Sequence, residues 1–192
     1  MSMKNVERKE GWIGVIGLGN VLMGDDAFGP YVIQVLEAEY EFPERVALMD
    51  LGTPSLDLAT YIEDLEVLII LDSVGADGPP GSVRTYRRDE LLRRPLEPRT
   101  NAHEPGLKEA LLVSEFRGRG PREALFVGVV PEQTSTSVGL SEAVSAAIPR
   151  AVEEVLRELR RQGAAGRRRR RPQPPRVWWE GERAMPGAEA RR

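Results

Sequence analysis

Hydrophobic residues fall into short continuous runs that alternate with longer segments of helical spacing. The runs at residues 12–17 and 67–72 are almost wholly apolar, as is typical of strands buried on both faces in a parallel sheet. Residues 45–50, 82–87 and 124–130 form further candidate strands. The pattern therefore predicts about five strands, with residues 82–87 at an edge because they alternate between apolar and polar.

Helical spacing of apolar residues separates these strands. It predicts helices at residues 27–40, 55–63, 104–116 and 141–161. Strand–helix alternation of this kind is typical of α/β proteins. We therefore expect a three-layer sandwich, in which an open, mostly parallel, twisted sheet carries helices on both faces.

The distribution of charge divides the chain near residue 162. The net charge of the 192 residues is −3. Residues 163–192 contain nine arginines and three glutamates, a charge of +6, which leaves −9 on residues 1–162. The second segment is also proline-rich and lacks periodicity, so we expect an α/β domain at 1–162 and a basic, disordered tail at 163–192. Trp178 and Trp179 are the feature of this tail that suggests docking on the domain.

Composition excludes several classes of protein. The absence of cysteine excludes a disulfide scaffold, a thiolate metal site and a cysteine nucleophile, and the single histidine excludes a multi-histidine metal site. No apolar run approaches the roughly 18 residues of a membrane span, and the charged N-terminus does not resemble a signal peptide. We expect a cytoplasmic protein without a membrane span. Although five consecutive arginines could attract an anionic partner, we do not expect one made of nucleic acid.

Acidic residues follow several of the predicted strands, and the only histidine lies in a polar loop. Asp25 and Asp26 follow the first strand, Asp50 ends the second, Asp72 ends the third, and His103 precedes a helix. Ligands of open α/β sheets bind at the carboxyl ends of the strands. Clustered carboxylates repel one another unless a cation lies between them, and carboxylates with an imidazole suit Ni²⁺ or Zn²⁺ better than Mg²⁺. The sequence thus predicts a metal site at this edge.

Purely structural roles remain open for the same residues. An aspartate at position 25 or 26 also stabilises a helix N-terminus through the helix dipole. Asp72 is equally suited to capping a turn, and a lone loop histidine is more often structural than a ligand.

Dinucleotide binding is the rival interpretation of the first loop. Gly17 and Gly19 follow a strand, and Asp50 stands where a ribose-binding acid is expected. Leu22 replaces the third glycine of that fingerprint, however. Asp25 and Asp26 would also face the pyrophosphate at the helix entrance, where a phosphate site requires free backbone amides. We therefore reject a dinucleotide site.

The first loop instead resembles the signature of a known family. Residues 17–30 read Gly-Leu-Gly-Asn-Val-Leu-Met-Gly-Asp-Asp-Ala-Phe-Gly-Pro, which is similar to the G-x-G-N-x-L-x-x-D-D-G-x-G motif of the hydrogenase maturation proteases. Ala27 replaces the commonest residue of that motif, glycine. The resemblance spans residues 12–161 and continues at residues 50–53, 71–73, 103 and 128–132.

The resemblance implies an activity and a set of site residues. The family comprises endopeptidases that remove the C-terminal extension of a [NiFe]-hydrogenase large-subunit precursor after nickel insertion, and it is grouped with the aspartic-type peptidases. By resemblance, Asp26, Asp72 and His103 bind the metal and carry the catalytic function. Asp25 and Asp50 are secondary candidates for activating water or orienting the peptide. The nickel is expected to arrive with the substrate, and no organic cofactor is expected.

Two other functions remain compatible with these residues. One is a chaperone that senses metal in the same precursor without cutting it. The other is an unrelated metal-dependent hydrolase of a small molecule. The size of the precursor after incubation separates the first of these from a protease.

Overall fold

A five-stranded sheet forms the centre of the protein. The computed structural model describes residues 11–54, 57–93 and 106–184, with side chains described up to residue 181. The main sheet has the order β3-β1-β4-β6-β5, in which β5 is antiparallel to β6 and the other neighbours are parallel; β2 and β7 form a separate antiparallel pair. The strands are β1 (Ile13–Leu18), β2 (Tyr40–Glu41), β3 (Val46–Gly52), β4 (Val67–Ser73), β5 (Val83–Arg87), β6 (Glu123–Val129) and β7 (Arg167–Arg168).

Helices cover both faces of this sheet. The pair α1 and α5 packs on one face, and the pair α2 and α4 packs on the other. The helices are α1 (Phe28–Glu39), α2 (Leu58–Ile62), α3 (Arg88–Arg93), α4 (Leu107–Phe116) and α5 (Glu142–Arg161). The predicted α/β sandwich with a mostly parallel sheet is confirmed. None of the helices in the described ranges combines the length and the apolar character that crossing a bilayer requires.

The central strand β4 shows why a continuous apolar run belongs in the middle of the sheet. Val67, Ile69 and Leu71 enter the core beneath α1 and α5. Leu68 and Ile70 enter the core beneath α2 and α4. Because successive side chains of a strand point to opposite faces, a strand covered on both faces must be apolar at every position.

The predicted strands of the main sheet lie within two residues of the observed ones. The second strand extends to Gly52 rather than ending at Asp50. The sequence did not predict α3, whose six residues have no fully buried side chain and so carry little hydrophobic pattern. It also did not predict the pair β2 and β7, since two-residue strands are too short to show a period.

The segment after α5 lies against the domain as far as it is described. Arg169 donates its backbone N–H to the carbonyl of Glu39 at 2.7 Å, and Gln173 donates to that of Ala38 at 3.1 Å. Trp179 is only 8% exposed. The sequence predicts disorder for residues 163–192, whereas residues 163–181 make these contacts here, because backbone pairing and one buried indole compensate for the unfavourable composition. The domain boundary at residue 162 stays a prediction.

Candidate active site between the first and fourth strands

The order of the strands creates a crevice at the carboxyl ends of β1 and β4. The chain leaves β1 through α1 towards β3 on one side, and it returns through α2 to β4 on the other side. Ligands of open α/β sheets bind where consecutive connections diverge in this way. Asp26 follows β1 in a short 3-10 turn, Gly24–Ala27, and Asp72 lies near the end of β4.

Two glycines allow the loop after β1 to fold close to the strand ends. Gly19 has a φ of +131°, and a methyl group there would overlap the carbonyl oxygen of Asp26. Gly29, in the first turn of α1, lies so close to the backbones of Leu18 and Leu71 that no side chain would fit. These close approaches bring Asp26, at the entrance of α1, next to the end of β4.

Two hydrogen bonds fix the carboxylate of Asp26. Its Oδ2 accepts the backbone N–H of Asn20 at 2.7 Å, and its Oδ1 accepts the hydroxyl of Ser73 at 2.9 Å. The side chain is half-buried. Hydrogen bonds to a charged acceptor are stronger than those between neutral groups, so the carboxylate is held in a defined orientation at the mouth of the crevice.

Ser73 joins the two predicted metal ligands that the structure describes. The Oδ1 of Asp72 accepts the backbone N–H of Ser73 at 2.7 Å, while the hydroxyl of the same serine reaches Asp26. Asp72 is half-buried, as is Ser73. Two carboxylates that are 46 positions apart in the sequence therefore lie around a single residue, as the strand-end argument predicts.

Asp25 occupies a different environment from its neighbour. It is fully buried. Its Oδ2 accepts the backbone N–H groups of Glu132 and Gln133 at 2.8 and 3.1 Å, and its Oδ1 accepts that of Ser141 at 2.7 Å. These bonds compensate for burying the carboxylate, and they tie the 3-10 turn to the loop after β6 and to the N-terminus of α5. Asp25 therefore fixes the positions of these backbone segments relative to one another.

Asp50 is exposed two residues before the end of β3, on the far side of β1 from Asp72. Its Oδ1 accepts the backbone N–H of Gly52 at 3.1 Å, which closes a turn in its own strand. The backbone of this turn reaches the first loop, because Gly19 donates its N–H to the carbonyl of Gly52 at 2.9 Å. Asp50 thus borders the loop that carries Asp26.

Two of the three candidate metal ligands, Asp26 and Asp72, lie within the described residues. His103 lies outside the described residues. Within the ranges that are described, no group of three or more aspartate, glutamate or histidine side chains is arranged to hold a metal ion. Asp26 and Asp72 supply hard carboxylate oxygens that suit a divalent cation. A pair of carboxylates leaves further ligands to be supplied by other groups.

Sequence reasoning overlooked three contributors to the site. Ser73 lies in the segment of family resemblance at residues 71–73 but was given no role, although a hydroxyl next to a strand-ending aspartate is a useful indication. The backbone amides of Asn20 and Ser141 bind the two aspartates, and no side-chain pattern reveals them.

Comparison with known proteins identifies the family. The sequence model for HycI, the hydrogenase maturation protease, matches residues 30–158. The chain belongs to the hydrogenase maturation protease family. The hydrogenase 2 maturation protease of Escherichia coli is 34% identical over 150 residues, which are 78% of this chain and 91% of that protein. The hydrogenase expression/formation protein HoxM of Azotobacter vinelandii is 34% identical over 150 residues, 78% of this chain and 72% of its own length.

The fold is shared with a solved member of the family. The hydrogenase maturating endopeptidase HybD from E. coli superposes with a TM-score of 0.75 at 32% identity, covering 82% of this chain and 98% of its own. This maturation protease is accordingly a peptidase, and the expected family resemblance is confirmed.

Proposed function

We propose that this maturation protease removes the C-terminal extension of a [NiFe]-hydrogenase large-subunit precursor after nickel has been inserted. The observation that carries the proposal is the pair of carboxylates, Asp26 and Asp72, held around Ser73 in the crevice between β1 and β4. The likeness to maturation proteases supports the choice of substrate.

The donor chemistry of the site favours nickel that is presented by the substrate. A carboxylate oxygen that accepts one hydrogen bond keeps a second lone pair, so the two oxygens of Asp26 can still bind a cation, and Asp72 adds a second carboxylate on the other side of Ser73. We assign His103 as the third ligand. The chain has no cysteine, and without thiolates this set binds a transition metal less tightly than a thiolate site would. The protease therefore completes or probes the coordination of nickel that the precursor holds.

Cleavage itself requires a water molecule as the nucleophile. The chain has no cysteine, and no serine–histidine–aspartate arrangement is evident from its sequence. In the proposed reaction a carboxylate of the site accepts a proton from water as the water adds to the scissile carbonyl, and the proton passes to the departing amine. Asp26 and Asp72 are the carboxylates suited to this task, and Asp50 orients the peptide at the rim. We place this encounter in the cytoplasm, as the sequence predicts.

The test compares two forms of one precursor. Purified protease is incubated with nickel-loaded and with metal-free large-subunit precursor, and intact mass spectrometry reports loss of the C-terminal extension. We expect cleavage of the loaded form only, and little nickel in the protease as purified. Equal cleavage of both forms contradicts nickel sensing, while a loaded precursor that binds but keeps its full mass identifies a chaperone instead of a protease.

A further inference from the structure

The basic tail, as far as it is described, runs along α1 from the C-terminal end of that helix to its N-terminal end. β7 pairs with β2 just beyond the C-terminus of α1, and Arg168 forms an ion pair with Glu39 at 3.1 Å. Further along, Gln173 still bonds to the carbonyl of Ala38. The tail then reaches the opposite end of α1, where the ring of Trp179 meets that of Tyr31 edge to face at a centroid distance of 5.2 Å. That end of α1 adjoins the candidate active site.

Trp179 belongs to a small buried cluster behind the loop that carries Asp26. The cluster is formed by Ala27, Tyr31 and Trp179, and partly buried apolar residues pack against it. Two of these, Val21 and Leu140, come from the loops that carry the site. The tail thereby packs against residues of both loops, and these residues neighbour Asp26 or the amides that bind Asp25 and Asp26.

We propose that Trp179 is a positioning residue for the cleavage reaction, acting through Asp26. This inference rests on the proposed function. Val21 directly follows Asn20, whose amide binds Asp26, and Ala27 directly follows Asp26 itself. The cluster around the indole thus supports both ends of the segment that orients this carboxylate.

The same cluster also supports the loop between β6 and α5. Leu140 precedes Ser141, whose amide binds Oδ1 of Asp25. Removing the indole leaves a cavity beneath both loops, and the backbone around Asp26 relaxes into it. Because a displacement of about 1 Å in a reacting group can lower a rate about 100-fold, the loss is expected in kcat.

The neighbouring tryptophan provides a matched control. Trp178 has the same side chain one position earlier. Its ring touches that of Trp179 edge to face, but it lies outside the buried cluster and is 76% exposed, whereas Trp179 is 8% exposed. Phe42 provides a second control, since its ring packs against Gly166 of the tail at the end remote from the site. Phe42→Ala loosens the tail without touching the cluster behind Asp26.

The kinetic experiment uses the full chain and nickel-loaded precursor. We expect Trp179→Ala to lower kcat by about 10- to 100-fold while KM stays within about twofold, and Trp179→Phe to restore most of kcat because a ring again meets Tyr31. Trp178→Ala and Phe42→Ala should keep the kcat of the parent protein, at a temperature where circular dichroism shows every variant folded. Unchanged kcat in Trp179→Ala, or an equal loss in Phe42→Ala, overturns the proposal.

A second measurement does not depend on the precursor. Hydrogen exchange of the Asn20 amide reports the bond to Asp26 directly, since an amide exchanges only when its hydrogen bond opens. We expect faster exchange in Trp179→Ala than in Trp178→Ala or the parent protein. Unchanged exchange overturns the positioning role even if the protein proves not to cleave the precursor, and failure of the parent protein to cleave overturns the proposed function alone.

Discussion

Asp25 and Asp26 are adjacent residues of the same type, but their carboxylates have different partners. The carboxylate of Asp25 accepts hydrogen bonds from three backbone amides in the protein interior. Asp26 accepts one backbone amide and the hydroxyl of Ser73 at the mouth of the crevice. The first carboxylate is thus part of the scaffold, and the second is the one that we propose to face the substrate.

This difference predicts separate effects of Asp25→Asn on stability and on activity. An asparagine at position 25 has one acceptor oxygen and turns an NH2 group towards backbone donors, so at least one buried amide loses its partner. We expect the free energy of unfolding to fall by about 2 to 3 kcal/mol in urea titrations, with activity falling in parallel. Glu132→Gln, which removes an exposed charge from the same loop, is the control and should change neither.

If Asp25→Asn instead keeps the stability of the parent protein but stops cleavage, Asp25 takes part in the chemistry. In that case its three amide bonds are not its main function.

At the scale of elements, α5 carries an acidic side chain into the protein at the end remote from the site. Glu158 is 2% exposed. Burial opposes its ionisation. Hydrogen bonds from Arg161, Gln162 and Arg87 outweigh that effect and lower the pKa of Glu158 to about 2, from an ordinary value of 4.5. The bond from Arg87 joins α5 to the edge strand β5.

The lowered pKa predicts acid sensitivity of stability. A carboxyl whose pKa is lower in the folded state stabilises the protein fully above its unfolded pKa, and this contribution is lost as the pH falls through the folded pKa. For Glu158 the loss runs from about pH 4.5 down to about pH 2. The free energy of unfolding, measured across this pH range, should depend less on pH in Glu158→Gln than in the parent protein.

Glu153→Gln is the matched control, because Glu153 lies on the same helix with its side chain 60% exposed. Its pH dependence should follow that of the parent protein. A Glu158→Gln variant that also follows the parent would show that the buried carboxyl contributes nothing to acid sensitivity.

Sequence patterns predicted the strands of the main sheet and the long helices, but they did not predict the shorter elements. The continuous run of β4 and the helical spacing of α5 each follow from burial, which leaves a period in the sequence. The short pair β2 and β7 and the helix α3 bury too little to leave one. The same limit applies to the tail, since one buried tryptophan in an arginine-rich segment has no periodicity to detect.

At the scale of the whole molecule, the site was predictable where it depends on topology. Parallel strands end at one edge, so Asp26 and Asp72 could be expected to meet. The roles of Asp25 and Ser73 could not be derived, because they depend on backbone amides and on a hydroxyl whose partners are far away in the sequence. The loops of residues 19–27 and 131–141, joined through Asp25 and supported by Trp179, form one unit around the crevice.

The most direct test of the central claim is the cleavage of nickel-loaded precursor by Asp72→Asn, followed by intact mass spectrometry. Asparagine keeps the size of the side chain but removes the negative charge that we expect to face the metal. The matched control is Asp77→Asn, an exposed residue of the following loop. We predict that Asp72→Asn folds with the stability of the parent protein and leaves the precursor at its full mass, while Asp77→Asn cleaves it normally. Normal cleavage by Asp72→Asn would contradict the assignment of the crevice between β1 and β4 as the active site.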